Sequence, residues 1–362
     1  MGVDGSIRRA VFLNKTMLPF SKIIDPLLEK RRSLFWHPIV KEMKRRARKS
    51  LQNLKPVQDN TSRIKPGDRI LMTMGRDENS RLPYFLEYYR NLGIDHFLVV
   101  DNLSETPMAA VLAGQSDVSL WTTNESYAET RFGVDWMNAL LSKYAVGHWT
   151  LTVDLDEFFV YPFMESRTYG ELLSFLDDIE KPCLYTLLVD MYPEGPIANA
   201  HVPVGEPPLK YAAHFDRIGY YSTKGGHEDT WTRGGPRLRV FNYGDFTAAP
   251  SLNKTPLVKW HPRFAYYLST HVAYPALLNH AHKKFHEPTG ALLHFKFVSS
   301  FREKIDQAIK LRNHYDDSQE YQKYLDQLQH SEDYSLFSPV SGKYEGPQSL
   351  IEANLMTSGC WK

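Results

Sequence analysis

HWTLTVDLDEFF, residues 148–159, runs an almost unbroken apolar segment straight into a cluster of acids. A strand lacking polar alternation needs cover on both faces, as in a parallel sheet packed between helices. Polar chemistry begins where this strand stops, at Asp154-Leu155-Asp156-Glu157. The same grammar recurs upstream. Arg69 to Met74 (RILMTM) is a short apolar strand ending in the polar loop GRDENS, and His96 to Val100 (HFLVV) runs into Asp101-Asn102. Val118 to Thr122 (VSLWT) reads as another strand. Between them, Leu82, Phe85, Leu86, Tyr89 and Leu92 recur at helical spacing before Gly93, and Phe132, Trp136, Ala139, Leu140 and Tyr144 mark a second helix. Alternation of this kind predicts an α/β fold with a mostly parallel sheet flanked by helices. Ligands of such sheets bind beyond the carboxyl ends of the strands. Three of the four strands end there in polar groups: Arg76 to Asn79, Asp101-Asn102, and Asp154 to Glu157.

The 362 residues exceed one ordinary compact core, and 42% hydrophobic residues exclude a chain too polar to fold. No window approaches 18 consecutive apolar residues, and the N-terminus lacks the apolar core of a secretory signal. Two cysteines, Cys183 and Cys360, cannot make a disulfide framework, which fits a reducing, cytoplasmic setting. The overall charge of +1 conceals an asymmetry: residues 1–65 hold 16 Lys and Arg against 5 Asp and Glu, whereas the remainder is acidic. Lys30 to Ser50 (KRRSLFWHPIVKEMKRRARKS) carries most of that positive charge, with Phe35 and Trp36 inside it. The expectation is an extension, residues 1–55 in particular, attracted to an anionic membrane surface from the cytoplasmic side. A solvated helix or tail is the alternative. Nucleic acid is disfavoured, because the body is acidic and carries no binding module.

The expected organisation is a basic N-terminal extension over 1–65, a catalytic domain over 66–300 and a helical C-terminal segment over 301–362. Pro56, VQDNTS and Lys65-Pro66-Gly67-Asp68 read as a linker into the main domain. The Pro-, Gly-, Tyr- and His-rich middle, about 190–270, reads as functional loops, and Leu292 to Val298 (LLHFKFV) as one more strand.

Two carboxylates at i and i+2 after a buried strand can share a divalent cation, and oxygen ligands of that type suit Mg²⁺ or Mn²⁺. The alternative for Asp154 and Asp156 is an acidic turn that caps a helix. His280, Ala281, His282 and His286 form the densest histidine group, read as a solvent-facing loop because no thiol or carboxylate stands at metal-site spacing. No G-x-S-x-G, H-E-x-x-H, Walker loop or G-x-G-x-x-G is present.

In this order, Gly75-Arg76-Asp77-Glu78-Asn79, Leu92-Gly93-Ile94-Asp95-His96-Phe97, Asp101-Asn102-Leu103-Ser104 and Asp154-Leu155-Asp156-Glu157-Phe158 resemble a bacterial branch of the family-2-like glycosyltransferases of the GT-A fold. GGPRLRVF, NKTPLVKW, STHV and LLHFKF extend the likeness to about residue 300. The resemblance implies a nucleotide-sugar donor, a UDP-sugar foremost, and a hydroxyl of a glycan or lipid-linked acceptor. It also implies Mn²⁺ or Mg²⁺, inversion at the anomeric carbon and a role in surface polysaccharide synthesis. Arg76, Asp77 and Glu78 would stand beside the base and ribose, and Asp101 would face the nucleoside. Asp154 and Asp156 would bind the metal and diphosphate, Asp156 more directly, with His294 as a further metal ligand. Asp229, next to Glu228 in GGHED, would be the base that takes the acceptor's proton, with Glu194 as a rival. Arg237 and Lys254 would contact phosphate, with Arg233, Arg239 and His271 as further candidates. The alternative for Arg237 and Arg239 is pairing with an acidic neighbour, and for His294 an ordinary strand histidine. A sugar nucleotidyltransferase, or a non-catalytic carbohydrate-binding or scaffold protein on the same fold, are the competing functions.

Overall fold

A computed structural model describes residues 26–224, 230–279, 287–301, 305, 323–324 and 334–362. The elements run α1 (Pro26–Asn53), β1 (Lys55–Gln58), β2 (Ile70–Gly75), α2 (Leu82–Leu92), β3 (His96–Asp101), α3 (Ala109–Leu112), β4 (Val118–Thr122), α4 (Val134–Tyr144), β5 (Trp149–Thr152), β6 (Glu157–Val160), α5 (Tyr169–Asp178) and β7 (Cys183–Asp190). They continue with β8 (His214–Asp216), β9 (Tyr221–Lys224), β10 (Thr230–Arg233), β11 (Asn253–Lys259), β12 (Ala265–Leu268), β13 (Val272–Tyr274), β14 (Gly290–His294), β15 (Ser341–Lys343) and α6 (Pro347–Glu352). Among the described residues, nine strands form one sheet in the order β1-β4-β3-β2-β5-β11-β7-β14-β6.

The sheet is mixed and mostly parallel. β4, β3, β2 and β5 are mutually parallel, and β14 is parallel to β7. β11 enters antiparallel between β5 and β7, while β1 and β6 close the two edges antiparallel to their neighbours. Alternation along the central strands feeds two cores. Leu71, Phe97 and Val99 face one with Phe85, Leu86 and Leu172, whereas Ile70, Met72, Leu98 and Val100 face the other with Trp136, Leu140 and Trp260. Each fully buried Leu or Phe contributes about 1.5–3 kcal/mol, so helices on both faces anchor the strand ends firmly. Local signals start and stop the helices. Thr168 and Glu171 form a reciprocal capping box at α5, and Gly93, with φ 108°, ends α2 in the left-handed region.

The last part of the segment before residue 65 contacts the sheet directly. Residues 55–58, read as linker, pair with β4 as an edge strand, a position that tolerates Pro56. Met43, Ala47 and Ser50 of α1 and Leu54 just after it are buried, so this part of the basic segment packs on the domain. C-terminal residues do likewise: Leu350, Leu355, Met356 and Trp361 join the first core. Of the C-terminal segment expected to be helical over 301–362, residues 302–304, 306–322 and 325–333 lie outside the described residues. Among those described, no helix is long and apolar enough to cross a membrane.

Candidate functional site

β5, β7 and β14 end on one edge of the sheet, and the antiparallel β6 and β11 begin there. That topology gathers Asp154, Asp156 and Glu157 with Asp190, Lys254 and His294. Residues 153–157 make the reversal from β5 into β6, closed by the Glu157 amide donating to the Asp154 carbonyl at 3.0 Å. Leu155 plugs the turn inward. A Cβ on Gly75 would meet its Cδ1 at 2.8 Å, so β2 needs glycine at that point. The Phe295 amide donates to the Asp156 carbonyl at 2.8 Å and ties the turn to the end of β14.

Register puts His294 opposite Glu157 on one side and Asp190 on the other. His294 Nδ1 lies 2.7 Å from Asp190 Oδ1, and its Nε2 is 3.6 Å from Asp156 Oδ2. Arg237 delivers a two-pronged contact to Asp190, Nε to Oδ2 at 2.8 Å and Nη2 to Oδ1 at 2.7 Å. Asp190 is 0% exposed, Asp156 19% and Asp154 46%, so the corner grades from a dry interior to solvent. Burial alone would raise the Asp190 carboxyl, but Arg237 and His294 hold it well below the usual carboxylate range. Desolvation pulls the His294 imidazole down, yet Asp156 and Asp190 outweigh it and raise it overall.

Lys254 is buried at the start of β11 and donates to Glu157 Oε1, with Asp154 Oδ2 3.4 Å away. Burial opposes its charge, but Glu157 and Asp154 hold its pKa above the ordinary value. Burial also pushes the Glu157 carboxyl up to about 7, against the pull of Lys254. Across the whole corner, Asp154, Asp156, Glu157 and Asp190 face two permanent cations, Lys254 and Arg237. The acids outnumber the permanent cations by two, and the raised Glu157 and His294 soften that excess.

The sequence-expected residues divide accordingly. Asp154, Asp156, Lys254, His294 and Arg237 do come together. The expected metal set of Asp154, Asp156 and His294 does not close as three, because Asp154 is turned to Lys254. Among the described residues, no group of three or more His, Cys, Asp or Glu side chains is arranged to hold a metal ion. Two donors do fit. A cation with bonds of about 2.1 Å to oxygen and nitrogen separates neighbouring donors by about 3–4 Å, which spans the Asp156–His294 gap. Asp190, absent from the sequence reading, holds the other imidazole nitrogen, as a carboxylate does behind a metal-bound histidine. Its signal was there: CLYTLLVD (183–190) is another apolar run ending in Asp. Glu157 was read only as part of the acidic turn.

Arg237 is 6% exposed and its fork is filled by Asp190, so the acid-pairing alternative describes it and the phosphate contact does not. Arg239 pairs with Asp216, and Arg233 donates to the Ala249 carbonyl at 2.7 Å. His271 Nδ1 lies 2.7 Å from the Asn253 carbonyl. Asp101 does not present a free carboxylate either. Oδ1 accepts from the Ser104 amide and hydroxyl, Oδ2 accepts from the Met108 amide at 2.8 Å, and the residue is buried. Asp77, at φ 56°, accepts from the Glu105 amide at 2.7 Å and lies 3.5 Å from Arg76. Glu78 pairs with Arg81 at 2.9 Å, and the Arg81 guanidinium donates to the Phe295 carbonyl, which docks this loop on the corner. Glu194 is exposed, and its carbonyl accepts from Ser335 Oγ. Asp229, Glu228 and the histidines 280, 282 and 286 lie outside the described residues. A cavity of about 440 Å³ adjoins the turn, lined by Leu155 of the turn and Phe158 of β6 together with Arg81, Tyr84, His201 and Glu206.

No protein-family model and no curated protein matches the chain. Among solved structures it is similar to the crystal structure of HddC from Yersinia pseudotuberculosis, at 13% identity and a TM-score of 0.24 over 39% of this chain and 70% of that one. A likeness at that level carries no argument.

Proposed function

We propose that the chain is a metal-dependent glycosyltransferase of GT-A type. On this reading it moves a sugar from a nucleoside diphosphate, a UDP-sugar foremost, to a hydroxyl of a glycan or lipid-linked acceptor. One observation carries the reading: Asp156 and His294 Nε2 face each other at 3.6 Å, at the carboxyl edge of the sheet, in a corner where four acids meet two permanent cations. Asp156 and His294 would hold Mn²⁺ or Mg²⁺, which would offset the charge developing on the departing diphosphate. Asp190 holds the imidazole at Nδ1, which Arg237 Nη2 also approaches at 2.8 Å, and Nε2 would be the nitrogen offered to the cation. Lys254 keeps Asp154 and Glu157 from repelling an incoming diphosphate and presents a buried positive charge at the same corner. The neighbouring cavity, walled by Tyr84 and Phe158 and fringed by polar groups, suits a hydroxyl-rich ligand and is of the size usual for ligand pockets.

The test is nucleoside diphosphate release from a panel of nucleotide-sugars with Mn²⁺, comparing the parent with Asp156→Ala. Release by the parent and its loss in the variant supports the reading; equal release from both removes it. Pyrophosphate formed from a nucleoside triphosphate and a sugar phosphate would instead point to nucleotidyl transfer.

A further inference from the structure

The six basic side chains between residues 41 and 49 do two different jobs. Lys44 is half-buried and donates to the Pro262 carbonyl, and Arg46 pairs with buried Asp135 at 2.8 Å and donates to the Glu129 carbonyl. These two fasten α1 to the domain, alongside buried Met43, Ala47, Ser50 and Leu54. Arg45 shares its fork with Glu42 one turn earlier on the same helix. Lys41, Arg48 and Lys49 are exposed and make no ion pair among the described residues. Positions 41, 45, 48 and 49 fall on one stripe of a 3.6-residue helix, offset from the buried stripe at 43, 47, 50 and 54. Exposed Arg263 and His261 lie close to Lys44, whose charge, with that of Arg263, helps hold the imidazole down, second to desolvation. The cationic stripe therefore continues onto the body at residues 261–263.

From this geometry we infer that the outward stripe of α1 docks the protein flat on an anionic lipid bilayer. Three features select that occupant. The partner must be anionic and extended, since the cations are spread along a helix side and converge on no pocket. The upstream turns of the same helix carry KRRSLFW (30–36), a composition that mixes cations with aromatic and aliphatic residues, as helices lying in a membrane interface do. Finally, charge is unevenly divided along the chain: residues 26–65 hold 12 Lys and Arg against 3 Asp and Glu, while residues 66–362 are acidic, so an anionic surface attracts this segment more than the rest. The inference stands apart from the catalytic reading, because no residue of the corner takes part.

The experiment is co-sedimentation of the full chain with vesicles of phosphatidylcholine alone and of phosphatidylcholine with about one-third phosphatidylglycerol. Each cation near such a surface strengthens partitioning roughly fivefold, and three uncompensated ones give on the order of 100-fold. The parent should sediment with the anionic vesicles only and be released by 0.5 M salt, beyond a Debye length of about 4 Å. Lys41→Gln, Arg45→Gln, Arg48→Gln and Lys49→Gln combined should lose at least that 100-fold, since Glu42 is then left unpaired, while melting at the parent temperature. The charge-preserving Lys41→Arg, Arg48→Lys and Lys49→Arg combination should retain it. Equal sedimentation of the quadruple variant overturns the proposal. So does tighter binding to random single-stranded DNA than to the vesicles, or a salt-sensitive dimer in light scattering that the same four substitutions abolish.

Discussion

Two stretches of one sheet edge carry acids, and they use them in opposite ways. At the ends of β2 and β3, Asp77 and Asp101 turn their oxygens onto backbone amides and hydroxyls of their own loops. At the ends of β5, β7 and β14, the acids meet side-chain cations, and Asp156 keeps an oxygen facing His294. In the first stretch the negative charge is quenched by fixed local donors that order the loop. In the second it exceeds the available positive charge. An acid at a strand end is thus a poor signal on its own; what matters is whether it turns onto fixed donors of its own loop or meets side chains from other strands.

This contrast can be broken in several places. The largest effect belongs to Asp156→Asn, which should cut nucleoside diphosphate release on the order of 10³-fold, since charge stabilisation by a held cation amounts to several kcal/mol. Thermal unfolding without metal should move little, because the Asp156 side chain is part-exposed and an amide keeps its shape. Next comes Lys254→Met, which strands buried Glu157 without a counter-charge and should cost about 3–5 kcal/mol in urea unfolding. Adding Glu157→Gln should recover most of that loss, and a double-mutant cycle with no coupling would contradict the pairing. Asp101→Asn, which keeps one acceptor oxygen of two, should lower stability by about 1.5–3 kcal/mol while the folded fraction keeps most of its activity. If activity fell and stability did not, Asp101 would belong to the ligand site after all.

The smallest effect is on pH dependence. Glu157 binds its proton more tightly folded, at about 7, than its ordinary 4.5. Its contribution is therefore complete below about pH 4.5 and fades as pH rises through 7. Asp190 runs the other way: its depressed pKa adds stability above the ordinary carboxylate value that is lost as pH falls towards the folded one. Metal-free protein should accordingly be less stable at pH 8 than at pH 5.5 by urea unfolding, and Glu157→Gln should flatten that slope.

Much of the fold was legible because the central strands are covered on both faces. β2, β3, β4 and β5 begin and end within about two residues of their apolar runs, and Gly93 stops α2 as its position predicts. β11 was not legible as a strand. NKTPLVK holds a proline and two lysines, and the structure accommodates Pro256 where the pairing with β7 shifts register between Lys254 and Leu257. β7 was missed although its pattern matched its neighbours, and Asp190 with it. The paired aspartates and His294 were readable from the strand-end pattern and the family resemblance. Lys254 at Asp154 and Arg237 at Asp190 were not, because each pairing joins residues on distant strands or loops whose meeting depends on topology. Sequence placed those cations near phosphate; packing shows the carboxylates they also meet.

The most direct measurement is anomalous diffraction from crystals soaked with MnCl₂ and UDP. The account predicts a manganese peak between Asp156 Oδ2 and His294 Nε2, with Asp190 still on the other imidazole nitrogen. No peak there, with Asp156 bonded only to protein donors, would contradict it.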